Sequence, residues 1–327
     1  MSKAPVTPAK AGVQLLLVLL LAGCAARPPS PEAFTFAVFG DLAYSEHEEK
    51  LYLDTMRRID AAAPAFVVHV GDFKGGGPCS DALYARRRSE LDASAVPLVY
   101  IPGDNEWTDC RSSRMGSMDP IERLARLRTV FFADEWSLGR KRMATAAQAE
   151  CVDNAPAECG CNAHPENRSW RHQRVLFVTV NIPGHRNNVG HDARNDQEAR
   201  CRNAANAAWL ERAAREAESA EVRALVVLTH ANPWEPSKGH ANVFNGFLAQ
   251  MATLPPRLRK PILFAHGDTH TYRVTEFLDP AGQVVGGITR LETYGTPTIG
   301  WVRVSVEPGR PNPFTFEPKL VAISLPH

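Results

Sequence analysis

The strongest constraint on the fold is a series of short, almost wholly apolar runs that end at glycine or polar residues. Six runs are of this kind, at 34–40, 66–71, 97–103, 175–181, 224–230 and 261–270. The first three are each followed by, or end next to, a Gly-Asp pair. Apolar runs without polar alternation are typical of strands buried on both faces, as in parallel sheets covered by helices. The chain is therefore predicted to be an α/β protein.

Helical and antiparallel segments complete this prediction. Helices are predicted at 46–62, 80–94, 119–132, 195–218 and 243–253. Antiparallel strands are predicted at 272–278, 287–294 and 299–306, with a hairpin turn at 279–282. The segment 134–172 has little apolar periodicity and contains three cysteines. It is predicted to be a disulfide-stapled insertion or cap on a single main domain spanning residues 34–327.

The amino terminus has the pattern of an export signal. Residues 1–23 contain two lysines before a short apolar run at 13–21, which is too short to span a membrane. The run ends Leu-Ala-Gly before Cys24, and this resembles the lipobox of bacterial lipoproteins, in which the cysteine after the cleavage site carries lipid. An ordinary secretory signal with a chance cysteine is the alternative.

The lipobox resemblance implies a location. A lipid on Cys24 would anchor the protein to a membrane through residues 24–33, a tether rich in Ala and Pro. Ala25 stands where an aspartate would retain a lipoprotein in the inner membrane, so the expected site is the outer membrane, facing the periplasm. The formal net charge is only +1, so neither nucleic acid nor an acidic membrane surface is expected as a partner, and membrane contact is expected through the lipid only.

Acidic and imidazole side chains directly follow the ends of the predicted strands. They are Asp41, Asp72, Asp104, His230, Asp268 and His270. Loops beyond the carboxyl ends of strands converge on the ligand crevice in open α/β sheets. Gathered there, carboxylates would repel one another unless a cation lay between them. The spacing therefore predicts a metal site.

In this order the motifs resemble those of the calcineurin-like metallophosphoesterase superfamily, which includes the purple acid phosphatases. Gly-Asp at 71–72, Gly-Asp-Asn-Glu at 103–106 and Gly-Asp-Thr-His at 267–270 stand where that family has GD, GNH(D/E) and GHxH. The resemblance implies a four-layer α/β/β/α sandwich of two mixed sheets. It also implies hydrolysis of a phosphate ester by a hydroxide that bridges two divalent metal ions.

The same resemblance assigns ligands. Asp41 and His270 would bind the first metal, Asp72 would bridge both, and Asp104 and His230 would bind the second. Asp268 would replace the first histidine of GHxH.

The motifs also depart from the family. Ala43 replaces a ligand histidine, and Asn105 replaces the histidine that assists the leaving group. Asp104 and Asp268 make the site richer in carboxylate, which favours Mn²⁺, Mg²⁺ or Ca²⁺ over Fe/Zn centres. An amide can hydrogen-bond a phosphoryl oxygen but cannot act as a general acid.

Other polar residues are predicted near the site. Asn105 and Lys74 are expected to steady the phosphate, although Lys74 could equally be a solvated loop residue. The loop at 182–188 offers His185, Arg186 and Asn188 for substrate binding. Tyr44 could contact metal or substrate, or simply pack. Either His185 or His266 could supply a proton to the leaving group.

Six cysteines remain besides Cys24, which in an exported chain indicates disulfides. They are Cys79, Cys110, Cys151, Cys159, Cys161 and Cys201. Cys79 and Cys110 each follow a site motif on loops expected to be neighbours, so they are predicted to pair. Cys151 is predicted to pair with Cys159 or Cys161, and Cys201 with the other. A zinc–thiolate site would need a second closely spaced cysteine pair, which the sequence lacks.

Two functions are compatible with these motifs. The first is a lipid-anchored, metal-dependent phosphoesterase. The second is a catalytically inactive metal- or ligand-binding envelope lipoprotein on the same scaffold, because three family positions are altered. The sequence does not select a substrate among phosphate esters.

Overall fold

The computed structural model of the protein describes residues 1–4, 31–149, 156–184, 186–235 and 241–324. The predictions for Cys24, Cys151 and His185 lie outside the described residues. Within the described ranges, no helix combines the length and apolarity that crossing a membrane requires.

The described residues form twelve strands and six α-helices. In chain order the strands are β1 (Phe34–Phe39), β2 (Val67–His69), β3 (Leu98–Tyr100), β4 (Ala146–Gln148), β5 (His164–His172), β6 (Val175–Thr179), β7 (Ala224–Leu228), β8 (Ile262–His266), β9 (Arg273–Leu278), β10 (Val284–Glu292), β11 (Thr298–Val306) and β12 (Phe314–Ile323). The helices are α1 (Glu46–Ala62), α2 (Asp81–Asp92), α3 (Pro120–Phe131), α4 (Ala193–Ala217), α5 (Asn245–Ala252) and α6 (Leu254–Leu258).

The strands make two mixed sheets. One sheet has the order β12-β11-β1-β2-β3, and the other has the order β4-β5-β6-β7-β8-β10-β9. β1, β2 and β3 run parallel, as do β6, β7, β8 and β10, whereas the outer strands pair antiparallel. The carboxyl ends of the parallel strands in each sheet therefore form one edge, and the amino ends form the other.

Successive side chains of β1 point to opposite faces of the sheet, and this places the sheet between two cores. Phe36 and Val38 are fully buried between the two sheets, where they join a core that includes Phe177 of β6. Ala37 and Phe39 point the other way, into a core shared with α1, α2 and α3. A third core lies between the other sheet and α4, α5 and α6. The predicted four-layer α/β/β/α sandwich is confirmed.

The segment 134–172 differs in part from its prediction. Its last residues, His164–His172, form β5, which pairs with β6 inside the second sheet and belongs to the main domain. Hydropathy misses this strand because Glu166, Asn167 and Arg168 are buried but polar. Their side chains form hydrogen bonds with residues far along the chain; Arg128 on α3, for example, donates to the Glu166 carboxylate.

Two other boundaries differ from the sequence analysis. α4 begins earlier than predicted, because the Asp192 side chain accepts a hydrogen bond from the Asn195 N–H at 2.9 Å and caps the helix. The predicted helix at 243–253 is followed directly by α6, whose first turn contains prolines.

Disulfides connect the loops. Cys79 pairs with Cys110, which confirms the prediction. Cys201 pairs with Cys159, one of the two partners that the sequence left open. Cys161 is also disulfide-bonded.

Candidate metal centre

The strand-end side chains converge where the carboxyl edges of the two sheets meet. Asp41, Asp72 and Asp104 follow β1, β2 and β3, and all three are buried. His230 follows β7 from the facing sheet and is also fully buried. Parallel strands explain this convergence, because their carboxyl ends and following loops share one edge.

His230 lies at the middle of the cluster. Its Nε2 is 3.5 Å from Asp72 Oδ1, 3.6 Å from Asp104 Oδ1 and 4.0 Å from Asp268 Oδ1. Asp41, Asp72 and His230 each offer a ligand atom, and these atoms lie within 4.8 Å of one another. This spacing would allow one cation to contact all three.

His270 joins the cluster from the other side. Its Nε2 is 3.7 Å from Asp41 Oδ1, and the Asp268 N–H donates to Asp41 Oδ1 at 3.0 Å. All six residues predicted as ligands are therefore brought together, although metal binding itself stays a prediction.

Backbone carbonyls orient both imidazoles. Nδ1 of His230 is 2.7 Å from the Val70 carbonyl, and Nδ1 of His270 is 2.6 Å from the Thr296 carbonyl. A carbonyl can only accept, so each Nδ1 carries a proton and each Nε2 faces the cluster. The buried Nε2 of His230 has no hydrogen-bond partner. A buried imidazole nitrogen that faces carboxylates holds either a proton or a cation, and a metal ion bound here would take the place of the proton.

The electrostatics of the cluster favour the same interpretation. Burial raises the pKa of Asp41 and Asp72 well above the usual range, and raises that of Asp268 to about 7. Burial alone would lower the pKa of His230, but the carboxylates led by Asp72 outweigh it and raise it well above its usual value. Without a cation these carboxylates resist ionisation together.

Tight backbone turns aim the carboxylates inward. Asp41, Asp72 and Asp268 have φ of 53°, 55° and 81°, in the left-handed region that non-glycine residues rarely adopt. A side chain on Gly103 would collide with the Asp72 carboxylate, and one on Gly267 would collide with that of Asp41. Glycine is required at these two positions because the neighbouring loops approach so closely.

Tyr44 and Asn105 both contact the proposed bridging residue. The Tyr44 hydroxyl and the Asn105 side-chain amide each donate to Asp72 Oδ2 at 2.6 Å. The Tyr44 oxygen also lies 3.3 Å from His270 Nε2. Burial, followed by the charge of Asp72, raises the pKa of Tyr44 well above its usual value, so the hydroxyl stays protonated. Tyr44 therefore lies between two of the predicted ligands, Asp72 and His270.

Glu106 connects two of the ligand loops. It is fully buried, and its carboxylate accepts from the backbone N–H groups of Phe73 and of Gly103, the latter at 2.9 Å. Phe73 follows Asp72 and Gly103 precedes Asp104, so a single carboxylate fixes both loops.

Lys74 does not point freely into the site. Its ammonium donates to the carbonyl oxygens of Gly75 at 2.6 Å and Asn105 at 3.2 Å, and burial lowers its pKa. These contacts hold Lys74 as a link between the loops that carry Asp72 and Asp104. A direct contact with phosphate stays a prediction.

His266 is engaged on both nitrogens. Its Nδ1 donates to the Gly267 carbonyl at 2.8 Å, and its Nε2 accepts from Arg290 at 2.9 Å. Burial, reinforced by the charge of Arg290, lowers its pKa well below the usual value. A neutral imidazole with both nitrogens occupied is poorly suited to be the substitute acid.

In the described part of the loop after β6, the predicted substrate contacts Arg186 and Asn188 lie against protein groups. The Asn188 amide accepts from Arg111 and donates to Glu198 at 2.7 Å, so its polar atoms bind protein. Arg186, two residues earlier, packs its guanidinium against Gly190.

Sequence reasoning missed two further contributors. The Asn232 N–H donates to Asp268 Oδ2 at 2.8 Å, and the Thr296 carbonyl orients His270. Asn232 lies in the loop after the buried strand β7, as His230 does, so the strand-end pattern could have identified it. Thr296 contributes only a backbone atom, which no sequence motif identifies.

Sequence comparison and structural comparison give different results. No protein-family profile and no curated protein matches the chain. Solved structures do match. A structure of PhoD shares 11% identity, covers 90% of this chain and 72% of that chain, and has a TM-score of 0.51. A single mutant of Vps29 from Entamoeba histolytica shares 10% identity, covers 88% of this chain and 99% of that chain, and has a TM-score of 0.31.

The likeness to PhoD, together with the two stacked mixed sheets, defines the architecture. The chain has the calcineurin-like metallophosphoesterase fold.

Proposed function

We propose that this protein is a metal-dependent phosphoesterase. The observation that carries the proposal is the convergence of four carboxylates on the unpaired Nε2 of His230, at the carboxyl ends of two facing sheets. The fold supports it, because it is the fold of a phosphoesterase superfamily. The orientation of His230 and His270 by carbonyls supports it further, because metal-binding histidines are usually held in this way.

The proposed reaction consumes one water and one phosphate ester. Two divalent cations held by these residues would polarise the phosphoryl group and activate the attacking water. Water adds to phosphorus, the ester P–O bond breaks, and the alcohol leaves with a proton. The Asn105 amide donates to Asp72 Oδ2 and to the Tyr44 hydroxyl, and it would turn one of these N–H groups to a phosphoryl oxygen when substrate binds. The only hydroxyl proton of Tyr44 is donated to Asp72, so Tyr44 would position that carboxylate.

The lack of a general acid among the described site residues restricts the substrate. Asn105 cannot protonate a leaving group, both nitrogens of His266 are occupied, and the other predicted donor, His185, lies outside the described residues. We therefore expect esters with good leaving groups to be hydrolysed fastest. The carboxylate-rich ligand set favours Mn²⁺ or Mg²⁺ over zinc.

The proposal includes the lipid anchor expected at Cys24. The enzyme would face the periplasm from the outer membrane, tethered by residues 24–33. The sequence alone supports this part, through its lipobox.

Hydrolysis of an aryl phosphate tests the proposal. The chain from residue 24, with Cys24→Ser, would be assayed on a monoester and its diester with Mn²⁺, Mg²⁺, Ca²⁺ and Zn²⁺ in turn. An aryl leaving group needs no protonation, so the altered residue Asn105 cannot conceal activity. Asp72→Asn keeps the shape of the bridging residue but removes its charge, and Asp54→Asn on α1 is the control.

We expect metal-dependent turnover in the parent and the control, and a loss of at least 100-fold in Asp72→Asn. A folded, metal-loaded protein that turns over neither ester with any metal would contradict the proposal. That result would favour the inactive metal-binding lipoprotein.

A further inference from the structure

A cleft of about 1180 Å³ lies away from the metal centre. The residues before β7 and β8, the middle of β10 and the turn between β11 and β12 form its walls. Four basic residues line it: Arg223, Arg259, Lys260 and Arg310. Among the described residues that line the cleft there is no aspartate or glutamate.

Topology places this cleft at the opposite end of the sheets from the metal centre. Arg223 directly precedes β7 and Lys260 lies just before β8, so both mark the amino ends of parallel strands. The metal ligands follow the carboxyl ends of the same sheets. The two sites therefore face in opposite directions along the strands.

The amino-terminal tether enters the domain at the same end as the cleft. β1 begins at Phe34, which pairs with Val306 beside the turn that lines the cleft. Glu32, just before β1, lies 3.9 Å from the Arg174 guanidinium. The Arg174 carbonyl in turn accepts from the Arg223 N–H at 2.7 Å. Only a few residues then separate the rim of the cleft from the lipid anchor expected at Cys24.

The charge in the cleft is open to solvent. Arg223, Arg259 and Arg310 are exposed, while Lys260 is half-buried and donates to the Ser219 carbonyl at 2.7 Å. Glu307 pairs with Arg310 at 2.6 Å and partly offsets its charge, whereas Glu218 pairs with Arg257 outside the lining at 2.6 Å. Arg223, Arg259 and Lys260 still give the lining a local excess of positive charge, which the net charge of the whole chain does not reveal.

We propose that this basic cleft docks on the anionic headgroups of the membrane to which the tether leads. Guanidinium groups bind phosphate oxygens in pairs of hydrogen bonds, which suits phosphodiester headgroups. A basic patch beside a lipid anchor adds a second membrane signal and fixes the orientation of the domain. Docking at this end turns the metal centre away from the bilayer, towards soluble substrates. The choice of membrane rests on the proposed lipid anchor, but the headgroup contact does not depend on catalysis.

Vesicle sedimentation tests the docking directly. The chain from residue 24 with Cys24→Ser, which lacks the lipid, would be mixed with phosphatidylcholine vesicles with and without phosphatidylglycerol. We expect binding only when phosphatidylglycerol is present, and weaker binding as salt screens the charges. Each basic residue near an anionic surface contributes a factor of about five in partition. Arg223→Gln combined with Arg259→Gln should therefore lower the partition coefficient about 25-fold.

A matched pair of substitutions distinguishes local docking from net charge. Lys50→Gln with Arg57→Gln removes the same two charges from the exposed face of α1 and should leave binding unchanged. Arg310→Gln alone provides a second test and should cost about fivefold. Thermal unfolding and aryl phosphate hydrolysis should be the same in all variants, so a failure of docking is separable from a failure of catalysis.

Three results would overturn the proposal. The first is binding that ignores phosphatidylglycerol. The second is an equal loss in the α1 control. The third is calorimetric binding of pyrophosphate in the cleft without any partition to vesicles, which would make the cleft a site for a soluble anion.

Discussion

Replacing Glu106 with glutamine should disturb two ligand loops at once. The Glu106 carboxylate accepts from the backbone N–H of Phe73, next to Asp72, and from that of Gly103, next to Asp104. Glutamine keeps the shape but replaces one oxygen with an NH₂ group. That group would face a backbone N–H, so two donors would meet inside a site from which water is excluded.

The structure sets the size of the effect. A hydrogen bond to a charged group contributes roughly 1.5–3 kcal/mol, and an unpaired buried donor costs about 1–3 kcal/mol. Burial raises the pKa of Glu106, so removing its charge returns part of that energy. We expect a net loss of about 2 kcal/mol in the free energy of unfolding. Removing a residue that positions ligands typically costs roughly 10–100-fold in metal affinity.

Two measurements on Glu106→Gln check this reasoning. Urea unfolding gives the change in stability, and calorimetric titration with Mn²⁺ gives the change in affinity. Glu276→Gln, on the exposed face of β9, is the control and should change stability by less than about 0.5 kcal/mol. If Glu106→Gln bound Mn²⁺ as tightly as the parent, the proposed role of Glu106 in positioning both loops would be refuted.

Three further predictions follow from buried groups. Arg128 Nη2 lies 2.6 Å from Oε1 of the buried Glu166 carboxylate, and Arg128→Gln removes this charged partner, leaving the neutral Asn181 amide and His164. The substitution should lower the free energy of unfolding, measured in urea, by about 3 kcal/mol, and a change below about 1 kcal/mol would contradict this. Burial lowers the pKa of His69 to about 3, whereas a histidine in the unfolded chain has a pKa of about 6.5. Between these two pH values the imidazole is protonated in the unfolded state and neutral in the folded state. Stability should therefore fall by about 1.4 kcal/mol per pH unit more in the parent than in His69→Phe, and parallel pH curves would contradict it. Gly267→Ala places a methyl group against the Asp41 carboxylate and should abolish Mn²⁺ binding in calorimetry, so parent-like affinity would contradict the close approach of the two loops.

The sequence could predict which residues gather in the site because the signal is local. Asp41, Asp72 and His230 each follow a buried strand, and parallel strands bring their ends to one edge. The same reasoning predicted the pairing of Cys79 with Cys110, because both follow ligand loops.

The missed strands had no such local signal. β5 contains buried polar residues whose partners lie far along the chain, such as Arg128 for Glu166. β12 is a largely exposed edge strand that contains Pro318, and proline is tolerated only where no ladder hydrogen bond is needed. Neither strand has the continuous apolar run that identified the others.

The sequence also could not predict which partners the Lys74 and His266 side chains would contact. Lys74 lies two residues after Asp72, which suggested a phosphate contact, but the carbonyls of Gly75 and Asn105 hold its ammonium. His266 directly precedes Gly267-Asp268, yet Arg290 on the neighbouring strand β10 occupies its second nitrogen. Such contacts depend on tertiary packing, which no motif encodes.

Turnover measured against added metal tests the central claim most directly. Metal-free protein would be titrated with Mn²⁺ while bound metal and aryl phosphate hydrolysis are followed in the same samples. The proposed centre predicts that hydrolysis rises with bound Mn²⁺, reaches its plateau at two ions per chain and stays absent in Asp72→Asn. Hydrolysis that is independent of bound metal, or two bound ions without hydrolysis, would contradict it.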